Sequence, residues 1–393
     1  MSIPNAAATS ETALAGIVAE AYQNRTALIP IGGGSKAAIG ATLPSAQPLD
    51  VSAISGISLY EPAEMVVGVR AGTSMAELEA TLATNRQMLA FEPPDWRRLL
   101  GSEGTVPTVG GFVAANASGP RRVASGALRD ALIGVRFVNG RGETIKSGGR
   151  VMKNVTGYDL VKLLAGSWGT LGIVTEAILK VLPKPETEAS LAWTGLPDAD
   201  AVALMSSALG SPFEVSAAAH LPAADDGASR TVLRLENFAV SVAYRSEEVL
   251  KRLKRFGPGD ILSEAESIAF WRGIAAVEPL VKAPGAVWRA SVAPSKAAAL
   301  SDALRRGGAQ RLFFDWGGGL IWLTAPETDP SATAIRDAAR AAGGHAMLFR
   351  AGSDFRARIG AWAAKSGPLA ALTDRIKSAF DPAGILNPGR MGT

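Results

Sequence analysis

Residues 104–119 read Gly-Thr-Val-Pro-Thr-Val-Gly-Gly-Phe-Val-Ala-Ala-Asn-Ala-Ser-Gly. Gly110, Gly111, Ala114 and Ala115 carry almost nothing that would hold the main chain off a ligand, so this backbone is expected to lie flat against one. Two more glycine-rich segments flank it, Pro30-Ile-Gly-Gly-Gly-Ser-Lys36 and Gly166-Ser-Trp-Gly-Thr-Leu-Gly-Ile-Val174. Three such turns, spread along the chain, suit one long ligand threaded past several loops. A dinucleotide such as FAD has that length.

The first turn holds successive N–H groups that can nest an anion such as a pyrophosphate, with Ser35 and Lys36 beside them. It is not a Walker A loop, because Ala37 follows Lys36. Nor is it a Rossmann fingerprint, since Gly-x-Gly-x-x-Gly and its downstream acid are absent. Taken alone, a glycine turn that merely ends a strand explains it equally well.

The chain has 393 residues, enough for two domains and a large core. Its hydrophobic fraction of 47% argues against disorder. Forty basic against 36 acidic residues leave a net charge of +4, with no basic stripe to follow a nucleic acid. Arg97-Arg98 and Arg121-Arg122 read as isolated pairs. There is no cysteine, so this chain holds no disulfide, cysteine-ligated zinc, iron–sulfur cluster or cysteinyl flavin. No metal site is expected. No secretory signal and no transmembrane segment is read, which points to a cytoplasmic protein, membrane-associated at most through a complex.

Periodicity and turn residues predict an α+β chain. Ser10 caps a first helix, and strands follow near 26–31 and 65–71. Ser74 with Glu77 starts another helix. Asn139-Gly140 turns a strand over 131–139 into a second one, and a strand over 173–181 ends at Pro183 and Pro185. Residues 287–350 read βαββαβ, the split-βαβ or ferredoxin-like order, and 190–256 repeat it loosely. The expected division is 1–185, 186–355 as an antiparallel-sheet cap domain, and 356–393 as a segment returning to the first domain.

Segments 30–36, 104–119 and 166–182 resemble the FAD-binding domain of the vanillyl-alcohol oxidase/p-cresol methylhydroxylase (PCMH) flavoprotein family, with its two subdomains. The ending Phe380-Asp-Pro…Asn387-Pro-Gly is similar to that of its 2-hydroxy-acid dehydrogenase branch. Lys153-Asn-Val-Thr-Gly-Tyr-Asp-Leu160 narrows the likeness to the FAD-binding subunits of glycolate oxidase (glycolate dehydrogenase) complexes. The resemblance implies that Gly32, Gly33, Gly34, Ser35 and Lys36 hold the pyrophosphate. It implies that Thr108, Gly110, Gly111, Ala115, Asn116, Ser118 and Gly119 line the flavin and ribityl chain, with Gly126 on a following turn. Gly172, Ile173 and Val174 would touch the adenine or ribityl end, and Asn387 the isoalloxazine ring. It further implies oxidation of glycolate to glyoxylate beside a sister flavoprotein and an iron–sulfur subunit. A stand-alone FAD-dependent dehydrogenase of the lactate type is the alternative.

The chain departs from a complete enzyme of that kind. Its only histidines are His220 and His345, both beyond the FAD segments, so the flavin is expected to be non-covalent. The histidine-rich Gly-Asp-Gly-Asn segment of the branch is missing. Hydroxy-acid oxidation needs a cation for the carboxylate, and arginine grips a carboxylate with two parallel bonds. Arg289, Arg350 and Arg272 are the candidates. No base stands out, and Tyr158 and Glu278 are weak choices. Trp96, in Pro93-Pro-Asp-Trp-Arg-Arg98, reads as an exposed anchor for a partner. Asp130 reads as a structural N–H acceptor.

Overall fold

The computed structural model describes residues 6–41, 45–149, 157–223, 227–364 and 366–391. Lys153-Asn-Val-Thr156, half of the narrowing motif, lies outside them.

Three sheets organise the described residues. The first is small and parallel, with Gln47–Asp50 between Ala6–Ala7 and Leu28–Ile31. Helix Glu11–Asn24 covers it with Leu14, Val18 and Ala21, and Ser10 caps that helix by accepting from the Ala13 N–H. The C-terminal tail runs alongside Leu28: the Leu28 N–H donates to Ile385, and the Asn387 N–H donates back to Leu28. Asp381, fully buried, pins that tail by accepting from the N–H groups of Ile385 and Leu386 and from Lys377.

The second sheet runs Ile57–Glu61, Val66–Arg70, Ile173–Pro183, Leu132–Val138, Thr144–Gly148, and Gln87–Leu89 pairs the far end of its central strand. That central strand is apolar almost throughout because it is covered on both faces. The hairpin after Val138 closes through Asn139, whose Oδ1 accepts from the N–H groups of Arg141 and Glu143.

The third sheet has eight strands, ordered Asp260–Leu262, Thr187–Thr194, Arg230–Asn237, Ala217–Leu221, Arg311–Asp315, Leu320–Ala325, Ala286–Ser291, His345–Arg350. Each group of four follows the split-βαβ order, and the two groups join through their second strands, at His220 opposite Phe314. The fold class read from the sequence therefore holds, and the looser first repeat is as complete as the second. Helices cover one face, where Leu233, Trp288, Ile321 and Leu348 are buried. The opposite face, carrying Phe313, Trp322, Met347 and Phe349, packs onto the FAD segments in one continuous core.

One local expectation fails. Residues 109–115 are not flat but form a short helix, Val109–Ala115, capped by Thr108 and ended by Asn116 at φ 46°. Small residues serve close packing there: a Cβ on Gly110 would sit 2.8 Å from that of Ala71.

Candidate functional site

The three glycine segments meet in space. Gly33 lies so close to the second segment that a Cβ would fall 1.5 Å from the Val106 carbonyl oxygen. Gly32 meets Thr108 in the same way, and Gly34 has φ 75°. Among the described residues, the N–H groups of Gly33, Gly34 and Ser35 donate to no acceptor. The third segment docks on the second, with the Gly166 N–H donating to Val113 and the Trp168 N–H to Ala114. Arg390 of the tail donates to the carbonyls of Lys36 and Ala37, and its guanidinium lies 5.8 Å from the Trp168 ring.

Two groups at this junction want a partner. The Lys36 ammonium is buried 3.7 Å over the Phe112 ring, with no carboxylate at ion-pair distance among the described residues. Burial pushes it down to about 7, against weak support from Asp95. The Asn387 side chain donates to the Trp168 carbonyl at 2.7 Å, while its Oδ1 is buried and unpaired. A row of free N–H groups, a buried cation without an anion and an orphan amide oxygen fit an anionic, polar cofactor here.

Other positions implied by the resemblance have jobs within the protein. Thr108 caps its helix by accepting from Gly111. The Asn116 Oδ1 accepts from the Arg129 N–H, and the Ser118 Oγ from the Leu128 N–H. The Gly119 carbonyl accepts from the Trp316 indole at 3.1 Å, a bridge to the third sheet. Ala115 ends the helix half-buried, and Gly126, at φ 79°, ends helix Arg122–Ser125. Gly172 faces the Phe137 ring, and the Ile173 and Val174 side chains turn into the core. Asp130 accepts from the Ala127 N–H at 2.8 Å.

The third sheet brings further groups to the junction. Pairing aligns Phe313, Trp322, Arg289 and Met347 in one row, and Asp315, Leu320, Ser291 and His345 in the next. Side chains alternate along strands, so both rows face the FAD segments. Arg289 lies 5.0 Å from the Trp316 ring and 5.7 Å from that of Trp322, and its Nε is enclosed and unpaired. Arg122 reaches from the FAD side to 4.3 Å from the same Trp316 ring. Burial lowers Arg289 to about 10, with the Arg122 charge adding to it; burial also lowers Arg122. Asp315 is buried, accepts from the Trp316 N–H at 2.7 Å and is pushed up to about 7 by burial.

The other candidates are engaged elsewhere. Arg350 donates to the carbonyls of Val281, Ala283 and Gly285, which fixes that loop. Arg272 is exposed and lines a cleft of about 610 Å³ with Glu79 and Lys184. Tyr158 is exposed, and Glu278 is paired with Arg98 at 2.8 Å, so neither serves as a base in this arrangement. His220 is buried between Thr231 and Asp198 as a satisfied structural histidine, while His345 stands on the edge strand. Arg122, Asp315 and Trp316 escaped the sequence reading. The Arg121-Arg122 pair was the one available signal.

Trp96 corrects another expectation. It is buried, not exposed: it stands edge-on to Phe349 at 4.9 Å and to Trp322 at 6.2 Å, and its indole donates to the Ala275 carbonyl. It anchors the two halves of this chain to each other, not a partner. Trp96→Phe removes that hydrogen bond and part of the ring, so it should cost about 1–2 kcal/mol of stability. A urea titration measures this.

Comparison with known proteins agrees with this geometry. A family model described as an FAD binding domain matches residues 5–148. The chain is 36% identical over 377 residues to the glycolate oxidase subunit GlcE of Escherichia coli (strain K12), covering 95% of each. Glycolate oxidase subunit GlcD of Bacillus subtilis (strain 168) is 46% identical over 101 residues, which is 26% of this chain and 20% of that one. The crystal structure of p-cresol methylhydroxylase shares the fold, with a TM-score of 0.69 at 18% identity, over 98% of this chain and 88% of that one. No helix among the described residues is long and apolar enough to cross a membrane. With a relative that is 36% identical over 95% of each chain, the chain belongs to the FAD-dependent oxidoreductase family of the glycolate oxidase subunit GlcE.

Proposed function

We propose that this chain is the FAD-binding subunit of a complex that oxidises glycolate to glyoxylate, working beside a sister flavoprotein and passing electrons to an iron–sulfur subunit. The observation that carries this reading is the length-matched likeness to GlcE, whose name assigns it to a glycolate oxidase. The absence of cysteine supports an acceptor outside this chain.

In this reading the N–H groups of Gly33, Gly34 and Ser35, with Lys36, hold the FAD pyrophosphate, and Asn387 offers its free amide oxygen. FAD supplies the two-electron acceptor when bound. No histidine or cysteine stands in the FAD segments, so the flavin is held without a covalent bond. Arg289 is the cation for the carboxylate, because its guanidinium is the one of the three candidates that faces the junction with an unpaired nitrogen. Asp315 is the group near it that can hold a proton at neutral pH.

The test is anaerobic mixing of the FAD-loaded chain with glycolate, alone and after reconstitution with its sister subunits. The subunit reading expects the flavin band of this chain to bleach only in the complex. Bleaching of the isolated chain by D-lactate or glycolate favours the stand-alone dehydrogenase and defeats the reading.

Asp315 makes a separate prediction. Its folded value lies above the unfolded one, so its contribution to stability is complete below about pH 4 and lost as pH rises through about 7. Asp315→Asn should flatten the stability profile across that window by up to about 1.4 kcal/mol per pH unit. Urea titrations at pH 4 to 8 compare the two proteins.

A further inference from the structure

We infer that Arg122 and Arg289, one from each half of the chain, form a two-armed clamp for the carboxylate of the substrate, with the Trp316 indole as the wall they share. The inference rests on the reading of this junction as a hydroxy-acid site. It adds a second cation, from the FAD side, that no motif assigns.

Two guanidinium groups beside one indole ring repel each other, and each is half-buried. Among the described residues neither has a carboxylate at ion-pair distance. Elsewhere in the same seam Arg234 grips Glu92 at 2.7 and 2.9 Å, and Arg121 grips Glu236 at 2.6 Å. Two cations held together without a carboxylate between them make a place where an arriving anion is stabilised. Asp315 does not fill that role, because it is buried against the Trp316 N–H. The Trp316 ring lies within cation–π reach of both guanidinium groups, 4.3 Å from Arg122 and 5.0 Å from Arg289. The half-exposure of both arms leaves their outer N–H groups free to donate to two carboxylate oxygens. The Trp316 indole donates to Gly119, three residues before Arg122, so one interdomain contact ties the wall to the Arg122 segment. The ligand class is a short carboxylate, small enough to lie against one ring.

The probe is oxalate, a carboxylate that cannot be oxidised to an aldehyde acid, titrated into the FAD-loaded full chain by tryptophan fluorescence and calorimetry. Arg122→Met and Arg289→Met should each weaken oxalate binding by about 10- to 100-fold, the loss of charged hydrogen bonds. Arg122→Lys should recover part of it. Flavin content and the flavin spectrum should not change. Oxalate binding that is absent in the wild type, or unchanged in Arg122→Met, overturns the clamp. So does loss of flavin from Arg122→Met, which would assign that arginine to the cofactor. Failure of glycolate to bleach the reconstituted complex counts against the functional reading alone, because the oxalate titration does not depend on turnover.

Discussion

Gly33→Val is expected to purify without FAD and to lose about 1–3 kcal/mol of stability. Close approach of this main chain to a phosphate accounts for the flavin loss. The structure adds the second effect, because a Cβ at this position would stand 1.5 Å from the Val106 carbonyl oxygen. That contact is main chain against main chain, so no side chain can swing away. The first turn and the 105–107 segment must separate. Val106 is exposed, so this segment has room to yield and the rest of the core survives. Separation spoils the row of free N–H groups from Gly33 to Ser35, which act on an anion only while they converge. Lys36→Met is the companion experiment. It leaves the seam closed and removes the buried ammonium of this turn, so flavin affinity should fall about 10- to 100-fold with little change in melting. The Lys36 ammonium titrates at about 7 before an anion arrives, and bound phosphate favours the charged form. FAD affinity of the wild type should therefore fall as pH rises above about 7, and the Lys36→Met profile should be flat there. Absorbance of the bound flavin and equilibrium dialysis read both. Stoichiometric flavin in Gly33→Val would show that the pyrophosphate lies elsewhere.

Much of this molecule was legible because its signals are local. Asn139-Gly140 announces a hairpin through its own side chain, and the βαββαβ order follows from alternation and helix starts within each segment. The glycine segments were legible as a set, since only close approach of main chain explains three of them. What escaped is long-range. Arg122 looks like a surface cation until Trp316, far along the sequence, closes over it. Asp315, after Phe313-Phe314, reads as the polar end of a strand, and only the sheet pairing puts it in the row beside Arg289. Trp96 follows the same rule: a loop rich in proline and charge suggests solvent, but its ring fills the seam against the sequence-distant Phe349. Glycines 110 and 172 meet a requirement no local pattern shows, since a Cβ at either would stand against Ala71 or Phe137.

That seam carries the second large effect. Arg234→Met should destabilise the protein by about 3–5 kcal/mol at pH 7. Arg234 is almost fully buried on strand Arg230–Asn237 and holds both oxygens of Glu92 from the FAD side. Arg121 closes the ring, donating from its guanidinium to Glu236 and from its N–H to Glu92. Burial alone would raise Glu92, but the Arg234 charge and its hydrogen bonds more than reverse this and hold it below the usual carboxylate range. Glu236 is likewise held at about 2, burial opposing and the Arg234 and Arg121 charges prevailing. Both carboxylates thus contribute stability that is present above their unfolded values and lost as pH falls from about 4.5 toward 2. Without Arg234, Arg121 alone among the nearby cations opposes burial at Glu92, and its carboxyl moves up. The variant is then most penalised at neutral pH, and its deficit against the wild type should shrink toward pH 4. Arg234→Met combined with Glu92→Met removes both the cation and the stranded anion, so it should recover most of the loss, because apolar groups of similar volume replace a buried pair at little cost. Urea titrations at pH 4 and 7 on the single and double variants measure this. A double variant as unstable as Arg234→Met alone would mean that the arginine acts by packing on the Trp271 ring, 5.0 Å away, rather than by neutralising Glu92.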